Sequence, residues 1–571
     1  MKIRIFLLLL IFVACEDKKS NENENISSAN FDIEINENTG ENYYINPFDV
    51  APMTAGINFR YTDEMENSSI SATVSIKSPK NQIDFVKEYS FNPDTSKQWL
   101  PIVGMFEGEN EVHIAVEEKQ SQNVLHDTTY TIKLDLLDSD IGRANEAYMS
   151  GDFPGDEMIF VLYNTSVARV RFTGIVYDSD GNIRWYSAIP GSFMQFVIDD
   201  LLYVGFKGEK INSLEVYDFF GRKIKEWDLP GYEDIHHDII KNEMGNLVLT
   251  VSKDDSSPVE DRLIELNPNS IQANKIVNSV DLSVIFPNVD ELFGDLPQLQ
   301  IGGTREDHVH NNSVSFYKRN GQTVFICSSQ RSGIAAVDEN GYAHWYFFPK
   351  NVQYSNFDDT TSSERLPAFG SFPSVDYTDP PSYSKLLVNP INSDGSYIID
   401  PEIVNYGKVK TDNEFIYPFR QHGARVIEYG ENYVTFLVLD NALFQGFEKY
   451  RNDAYSRAVC YKVTFENSNQ IYGGNIRQLW STEMDFFSPF LGDSRKTPNG
   501  NYIFTFGSIG STALSTGDGF EYRNDLDSEL RSVIIELDNA GKELGRLVIP
   551  STDQGLGVGS YRAERINLII P

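Results

Sequence analysis

Gly174–Tyr186 reads GIVYDSDGNIRWY: an apolar run, Asp178, two residues, Gly181, then a second run that carries Trp185. The same order returns at Leu214–Trp227 (LEVYDFFGRKIKEW), Ile334–Trp345 (IAAVDENGYAHW) and Val533–Leu547 (VIIELDNAGKELGRL). Looser copies lie at Leu263–Leu282 and Val459–Trp480. Asp and Gly at these offsets suit a tight hairpin turn, because the carboxylate accepts backbone N–H groups and Gly tolerates positive φ. One hairpin cannot bury its own apolar face, so copies tens of residues apart must stack, and circular stacking gives a β-propeller. Four clear and two loose copies predict an all-β chain whose residues 150–571 form a six-bladed propeller. A series of β-sandwiches or a β-helix is the competing arrangement. Uneven spacing places insertions in the loops, the largest at Asn351–Glu414. Nearby aromatic residues (Phe347, Phe348, Tyr354, Phe369, Phe372) either frame a pocket or pack that insertion onto the propeller.

Upstream, Asn46–Leu137 alternates apolar and polar residues in segments such as Ile70–Ile76 (ISATVSI) and Glu111–Val116 (EVHIAV). This predicts a small immunoglobulin-like β-sandwich over residues 41–140. Residues 15–40 are expected to be a disordered tether, since Glu16–Asn30 (EDKKSNENENISSAN) is polar and low in apolar side chains. Residues 1–14 combine Lys2 and Arg4 with the apolar run Phe6–Ala14, a signal peptide too short to span a bilayer. Phe12-Val13-Ala14-Cys15 is similar to a bacterial lipobox, with Phe12 where Leu is usual. Lipidation of Cys15 predicts an exported, membrane-anchored protein, periplasmic or at the cell surface (outer membrane); ordinary secretion with an incidental Cys is the alternative.

The 571 residues carry 48 Lys+Arg against 83 Asp+Glu, a net charge of −35. No nucleic acid partner is expected, because phosphate backbones reward Lys and Arg. Electrostatic adhesion to anionic lipid is disfavoured for the same reason. A negative field also opposes an anionic substrate, so local basic residues are expected at a site for one, with Lys207, Lys210 and Arg305 as candidates. Three Cys in this length exclude a disulfide scaffold, and Cys327 and Cys460, in apolar runs, read as buried strand residues.

Of 8 His, five fall in three short clusters: EDIHHDI at Glu233–Ile239, EDHVHNNS at Glu306–Ser313 and FRQHGARV at Phe419–Val426. A lone His is usually a satisfied core or surface residue. Three clusters from three blades are different, because a propeller gathers its innermost strands around one axis. His308, His310 and Asn312 have period 2 and share a face if they lie on a strand. Adjacent His236 and His237 must then point to opposite faces. Several His with an Asp suit zinc. However, His422 is followed by Gly423-Ala424 with no nearby carboxylate, and Asn312 is a poor zinc ligand. Imidazoles with Asn and Arg suit a tetrahedral anion instead, and no metal is expected.

Several motifs occur together: Asp307–Ser313 (DHVHNNS), Gln421-His422 with Asp440-Asn441 downstream, and Tyr455–Tyr461 (YSRAVCY). Gly492–Thr505 (GDSRKTPNGNYIFT), Tyr561–Ile566 (YRAERI) and the opening Asn46–Ala55 (NPFDVAPMTA) complete the set. In number and order they resemble the bacterial arylsulfate sulfotransferase family, from Asn46 onward. The resemblance implies a six-bladed propeller behind a β-sandwich, working outside the cytoplasm. It implies transfer of a sulfuryl group from a phenolic sulfate ester to a phenolic acceptor, with no nucleotide donor and no cofactor. His422 matches the transiently sulfated histidine, and the H-x-N element matches His310 and Asn312. The HHD element matches His236-His237-Asp238, with His237 favoured to face the site. His236 and His308 are placed among the substrate-binding residues; His308 stands where the family usually has Trp.

The family arginine lies in a Ser-Ser-Arg stretch. Here Ser328-Ser329-Gln330-Arg331 puts Gln in its slot, so Arg331 serves only if a bulge restores its direction. The implied partners are a small-molecule phenolic sulfate donor and a phenolic acceptor, with a homodimer left open. Two rival readings stay open at this point: a metal-dependent hydrolase using the same histidines, and a non-catalytic surface propeller that binds aromatic or sugar ligands.

Overall fold

The computed structural model describes residues 30–63, 68–77, 85–137, 141–149, 157–164, 172–206, 213–253, 261–269, 276–283, 285–286, 309–330, 333–349, 383–410, 414–442, 455–468, 470, 472–510, 531–550 and 559–568. The proposed signal peptide, Cys15 and most of the tether fall outside them, as do His308, Arg331, Lys207, Lys210, Arg305, Tyr354, Phe369 and Phe372.

The described chain is all-β apart from two short helices, Tyr383–Leu386 and Pro401–Tyr406. No helix among the described residues is long and apolar enough to cross a membrane. Strands Asn30–Ile33, Tyr44–Ile45, Ala55–Thr62 and Asp94–Ile102 form one N-terminal sheet. Ile70–Ile76, Phe85–Phe91, Glu109–Glu118 and Val124–Lys133 form a second. The expected disordered tether over 15–40 therefore needs correction at its end. Asn30–Ile33 pairs antiparallel with Ala55–Thr62, because Phe31 and Ile33 alternate with polar neighbours and pack on the apolar core.

Among the described residues, six further sheets of four or five strands follow along the chain. One edge strand of each, Ser192–Ile198, Tyr232–Lys241, Asn311–Arg319, His422–Gly430, Gly492–Lys496 and Ser560–Asn567, lies beside the next in that order, and these are the inner strands. The last of these pairs back onto Glu157–Asn164, the first strand after the N-terminal region to join that sheet, and this sheet packs against Ser192–Ile198. The arrangement is a closed, propeller-like ring, which hides strand edges at the seam.

The Asp-x-x-Gly hairpins join the third and fourth strands counted from the inner edge of their sheets, and one turn chemistry explains all four clear copies. Gly181, Gly221, Gly341 and Gly541 have φ of 78°, 97°, 85° and 83°, and each N–H donates to the carbonyl of the Asp three residues earlier. The Asp178 carboxylate accepts from Asp180 N and Asn182 N at 3.0 and 2.9 Å; Asp338 and Asp538 do the same in their copies. Asn242-Glu243-Met244-Gly245 builds the same turn inside a sheet, with Asn242 Oδ1 accepting from Met244 N and Asn246 N, each at 3.0 Å.

The Trp of the first copy links neighbouring sheets: buried Trp185 donates from Nε1 to Phe219 O at 2.7 Å and lies edge-on to the Phe219 ring. The N-terminal sheets dock at this same seam. Arg184 Nε donates to Gly104 O at 2.8 Å, and Phe48 and Trp99 pack on Phe220. Cys327 and Cys460 are free thiols buried within strands, as their apolar surroundings imply.

Trp185→Ala should cost about 3–5 kcal/mol of stability, the usual range for truncating a large buried aromatic. Urea unfolding of the purified protein measures this, and a loss under about 1 kcal/mol would contradict the role given to that seam.

Candidate active site

The three histidine clusters meet at bulges in the inner strands, and those bulges aim them. In the strand Tyr232–Lys241, residues 236–238 stand opposite a single partner position, since Ile235 pairs with Val251 and Ile239 with Leu249. Thr250 fills that bulge: its hydroxyl accepts from Asp238 N at 3.0 Å and donates to His236 O. The bulge changes the expected outcome for the neighbouring histidines. Instead of pointing to opposite faces, His236 and His237 bring their Nδ1 atoms within 2.9 Å, with His236 fully buried and His237 partly open. His237, at φ 49°, lies 4.9 Å from the His310 ring and 5.5 Å from the Tyr561 ring, centroid to centroid.

The period-2 reading of His308, His310 and Asn312 also needs correction. His310 precedes the strand, with φ 44°, and the register slips between Asn311 and Ser313, so Asn312 occupies a bulge. Positive φ at a non-Gly residue stores roughly 1–3 kcal/mol, and two such histidines facing each other mark a built site. Asn312 turns its Nδ2 to Gln421 O at 2.7 Å, so one of its N–H groups holds the backbone beside His422. Its Oδ1 is buried with no hydrogen-bond partner among the described residues.

His422 opens its strand fully buried, 6.1 Å from the Tyr561 ring. Its Nδ1 lies 2.7 Å from Asn441 Oδ1. Burial lowers its pKa to about 4, the neighbouring His310 acts in the same direction, and the Asn441 contact, Asp493 and the Arg420 backbone pull against them. The ring is therefore neutral near pH 7. Gly423, at φ 61°, permits this position: a Cβ there would stand 2.5 Å from Ser494 N. Tyr561 donates from Oη to Asn312 O at 3.2 Å, and burial holds its pKa well above the ordinary phenol value, so it stays a neutral phenol.

Beneath the histidines lies an ion cluster that none of the motif arguments anticipated. Arg425 clamps Asp493 through Nε and Nη2, both at 2.9 Å, and its Nη1 bonds Asp238 and Val314 O. Arg495 bridges the same carboxylates at 3.0 and 3.3 Å. Arg562 Nη2 reaches Asp238 Oδ1 at 3.1 Å and His237 O at 2.5 Å, with its guanidinium over the Phe196 ring. Three guanidiniums against two carboxylates leave a charge of +1 (3 − 2) in an otherwise acidic protein. Burial works against ionisation of Asp493, but Arg425, Arg495 and Arg562 outweigh it and hold the carboxyl well below its usual range. Each member sits beside a motif residue: Asp238 after His237, Arg425 three residues past His422, Asp493 and Arg495 in GDSRK, Arg562 in YRAERI.

A second pair steadies the His422 loop. Arg457 bonds Asp440 Oδ2 through Nε at 3.0 Å, while Asp440 Oδ1 accepts from Phe419 N and Ala442 N at 2.9 and 2.8 Å. His422, His310, His237, His236 and Asn312 thus come together, whereas His308 and Arg331 lie outside the described residues. Among the described residues, no group of three or more His, Cys, Asp or Glu side chains is arranged to hold a metal ion.

Residues 154–551 match the family profile described as arylsulfotransferase (ASST). The chain belongs to the arylsulfotransferase family. Membership supports an aryl sulfotransferase activity acting on small aryl sulfates and phenols. No curated protein matches the chain. Among solved structures, TolB from Acinetobacter baumannii is similar at 13% identity, over 81% of each chain, with a TM-score of 0.27. A DUF4623 family protein from Bacteroides eggerthii is similar at 8% identity, over 88% of this chain and 90% of its own, with a TM-score of 0.30. The WD40 domain of SCAP from fission yeast shares 8% identity over 80% of this chain and 87% of its own, with a TM-score of 0.24. Likenesses at these scores say nothing about what this arylsulfotransferase-family chain does.

Asp493→Asn would leave three guanidiniums facing one carboxylate and should destabilise the fold by about 3–5 kcal/mol, as removal of one partner from a buried ion pair does. Since the Asp493 carboxyl is depressed in the fold, its contribution is complete above about pH 4 and fades as the pH falls towards the folded value. Urea unfolding at pH 7 and pH 3 checks both statements, and an Asn variant as stable as wild type at pH 7 would contradict them.

Proposed function

We propose that this protein is an aryl-sulfate sulfotransferase working by two-step exchange through a sulfohistidine at His422, on a six-bladed propeller preceded by an immunoglobulin-like sandwich. The observation that carries the reading is a buried, neutral His422 grouped with His237, His310 and Tyr561 in a chain of this family.

In the first step a ring nitrogen of His422 attacks the sulfur of the aryl sulfate. The N–S bond forms as the S–O(aryl) bond breaks, and the phenolate leaves with the electron pair. A phenol ionises near pKa ~10, so its anion needs only modest proton donation as it departs. His310, His237, Asn312 and Arg331 are proposed to hold the non-bridging oxygens, where charge must be stabilised in the transition state. His236 and His308 are proposed to bind substrate. The buried charge of +1 below supplies a local attraction that the overall acidity does not. In the second step a phenol attacks the same sulfur, its proton passes to a neighbouring imidazole, and His422 is returned neutral. Each half-reaction uses one site in turn, so the kinetics are ping-pong.

The wider setting is proposed on sequence grounds alone: a signal peptide, a lipid on Cys15, and a folded body exported to the periplasm or cell surface.

His422→Ala should abolish transfer from p-nitrophenyl sulfate to phenol while leaving the melting temperature near wild type; a variant with near-normal turnover would refute the assignment. Since burial holds His422 down to about 4, wild-type turnover should stay level from pH 7 to about pH 5 and fall only towards pH 4. An acid limb centred at the ordinary His value of 6.5 would show that the nucleophile is a different, solvated group.

A further inference from the structure

Asn441 has no role in the two-step scheme, yet its side-chain oxygen stands 2.7 Å from the His422 Nδ1, while the Arg420 backbone is a further hydrogen-bond partner of the same ring. The amide cannot rotate. Asn441 Nδ2 donates to Ser488 O at 2.8 Å and to Leu491 O at 3.3 Å, and both are carbonyls that only accept. Flipping it would lose both bonds and set Oδ1 against two carbonyl oxygens. The backbone is held as well: Asp440 accepts from the neighbouring Ala442 N at 2.8 Å, and Ser456 Oγ donates to Asn441 O at 3.3 Å. Oδ1 is thus fixed towards His422, and an amide oxygen can only accept.

We infer that Asn441 is a positioning residue that fixes the tautomer of His422, with the proton on Nδ1 and the lone pair on Nε2, so that Nε2 is the atom that takes the sulfuryl group. The inference rests on the reading of His422 as the nucleophile. In a neutral imidazole only the unprotonated nitrogen carries an available lone pair. When Nε2 forms its bond to sulfur the ring becomes positive, and the Nδ1–H···Oδ1 bond strengthens as it does so. The contact is therefore worth more in the transition state than in the resting enzyme, and its loss falls on kcat rather than KM.

The full-length protein tests this with p-nitrophenyl sulfate in rapid mixing. Wild type should give a burst of nitrophenolate, and Asn441→Leu and Asn441→Ala should slow that burst on the order of 10²-fold with KM little changed. Because the Asn441 contact raises the His422 pKa, the acid limb of the burst rate should also move to lower pH in both variants, which a merely structural defect would not produce. A folded Asn441→Leu with a wild-type burst rate and limb overturns the inference and leaves His422 as nucleophile intact. A wild-type protein with no burst overturns the exchange reading itself, and this inference with it. Should the variants unfold, ¹⁵N-histidine spectra of the unaltered protein decide, with the His422 signal identified by its loss in His422→Gln. Protonation at Nδ1 supports the inference, and protonation at Nε2 overturns it.

Discussion

The buried cluster of Asp238, Asp493, Arg425, Arg495 and Arg562 ties together strands that are far apart in the chain. Arg425 alone touches Asp238, Asp493 and Val314, each on a different inner strand. Arg562 adds the C-terminal strand and stacks over Phe196 on the strand Ser192–Ile198, so all six inner strands are linked. Buried ions are costly to desolvate, and removing one partner is worse than replacing the whole set with apolar groups. The cluster therefore contributes less to net stability than to register: carboxylates and guanidiniums must meet with fixed geometry, which sets how the inner strands stand against each other. The histidines of the site inherit that alignment.

The same cluster explains how an acidic protein can suit an anionic substrate. A charge of −35 is spread over the whole chain and is screened by salt at the surface. A charge of +1 beneath the histidines acts at short range in a low-dielectric setting. Local field and overall charge point in opposite directions, and the local one governs the site. Strain follows a similar logic. His237 and His310 accept left-handed backbone conformations, and the surrounding bulges, the Thr250 hydroxyl and the ion cluster hold them there.

Much of the fold was legible because its signals are local. Asp-x-x-Gly turns depend on four residues, and each clear copy forms the turn its sequence implies. The three histidine clusters were also legible, since their scarcity and spacing do not depend on knowing the contacts. Three things were not. Side-chain alternation fails at a bulge, and both the His236-His237 pair and the H-x-N element sit on one. Phe31 and Ile33 extend the N-terminal sheet into a segment whose overall composition is polar. Ion pairing is non-local: Asp238 and Arg562 stand 324 positions apart, so nothing in either motif names its partner. Asn441 shows the same limit, because its place in the motif order was visible but the fixed direction of its amide was not.

The central claim is that His422 itself carries the sulfuryl group between two phenols. Intact-protein mass spectrometry followed by peptide mapping, after brief mixing with p-nitrophenyl sulfate and no acceptor, tests it most directly. The account predicts a sulfuryl-sized mass gain that maps to the peptide containing His422 and disappears on addition of phenol. A gain that maps to another residue, or nitrophenolate released in quantity with no covalent mass at any time, would contradict it.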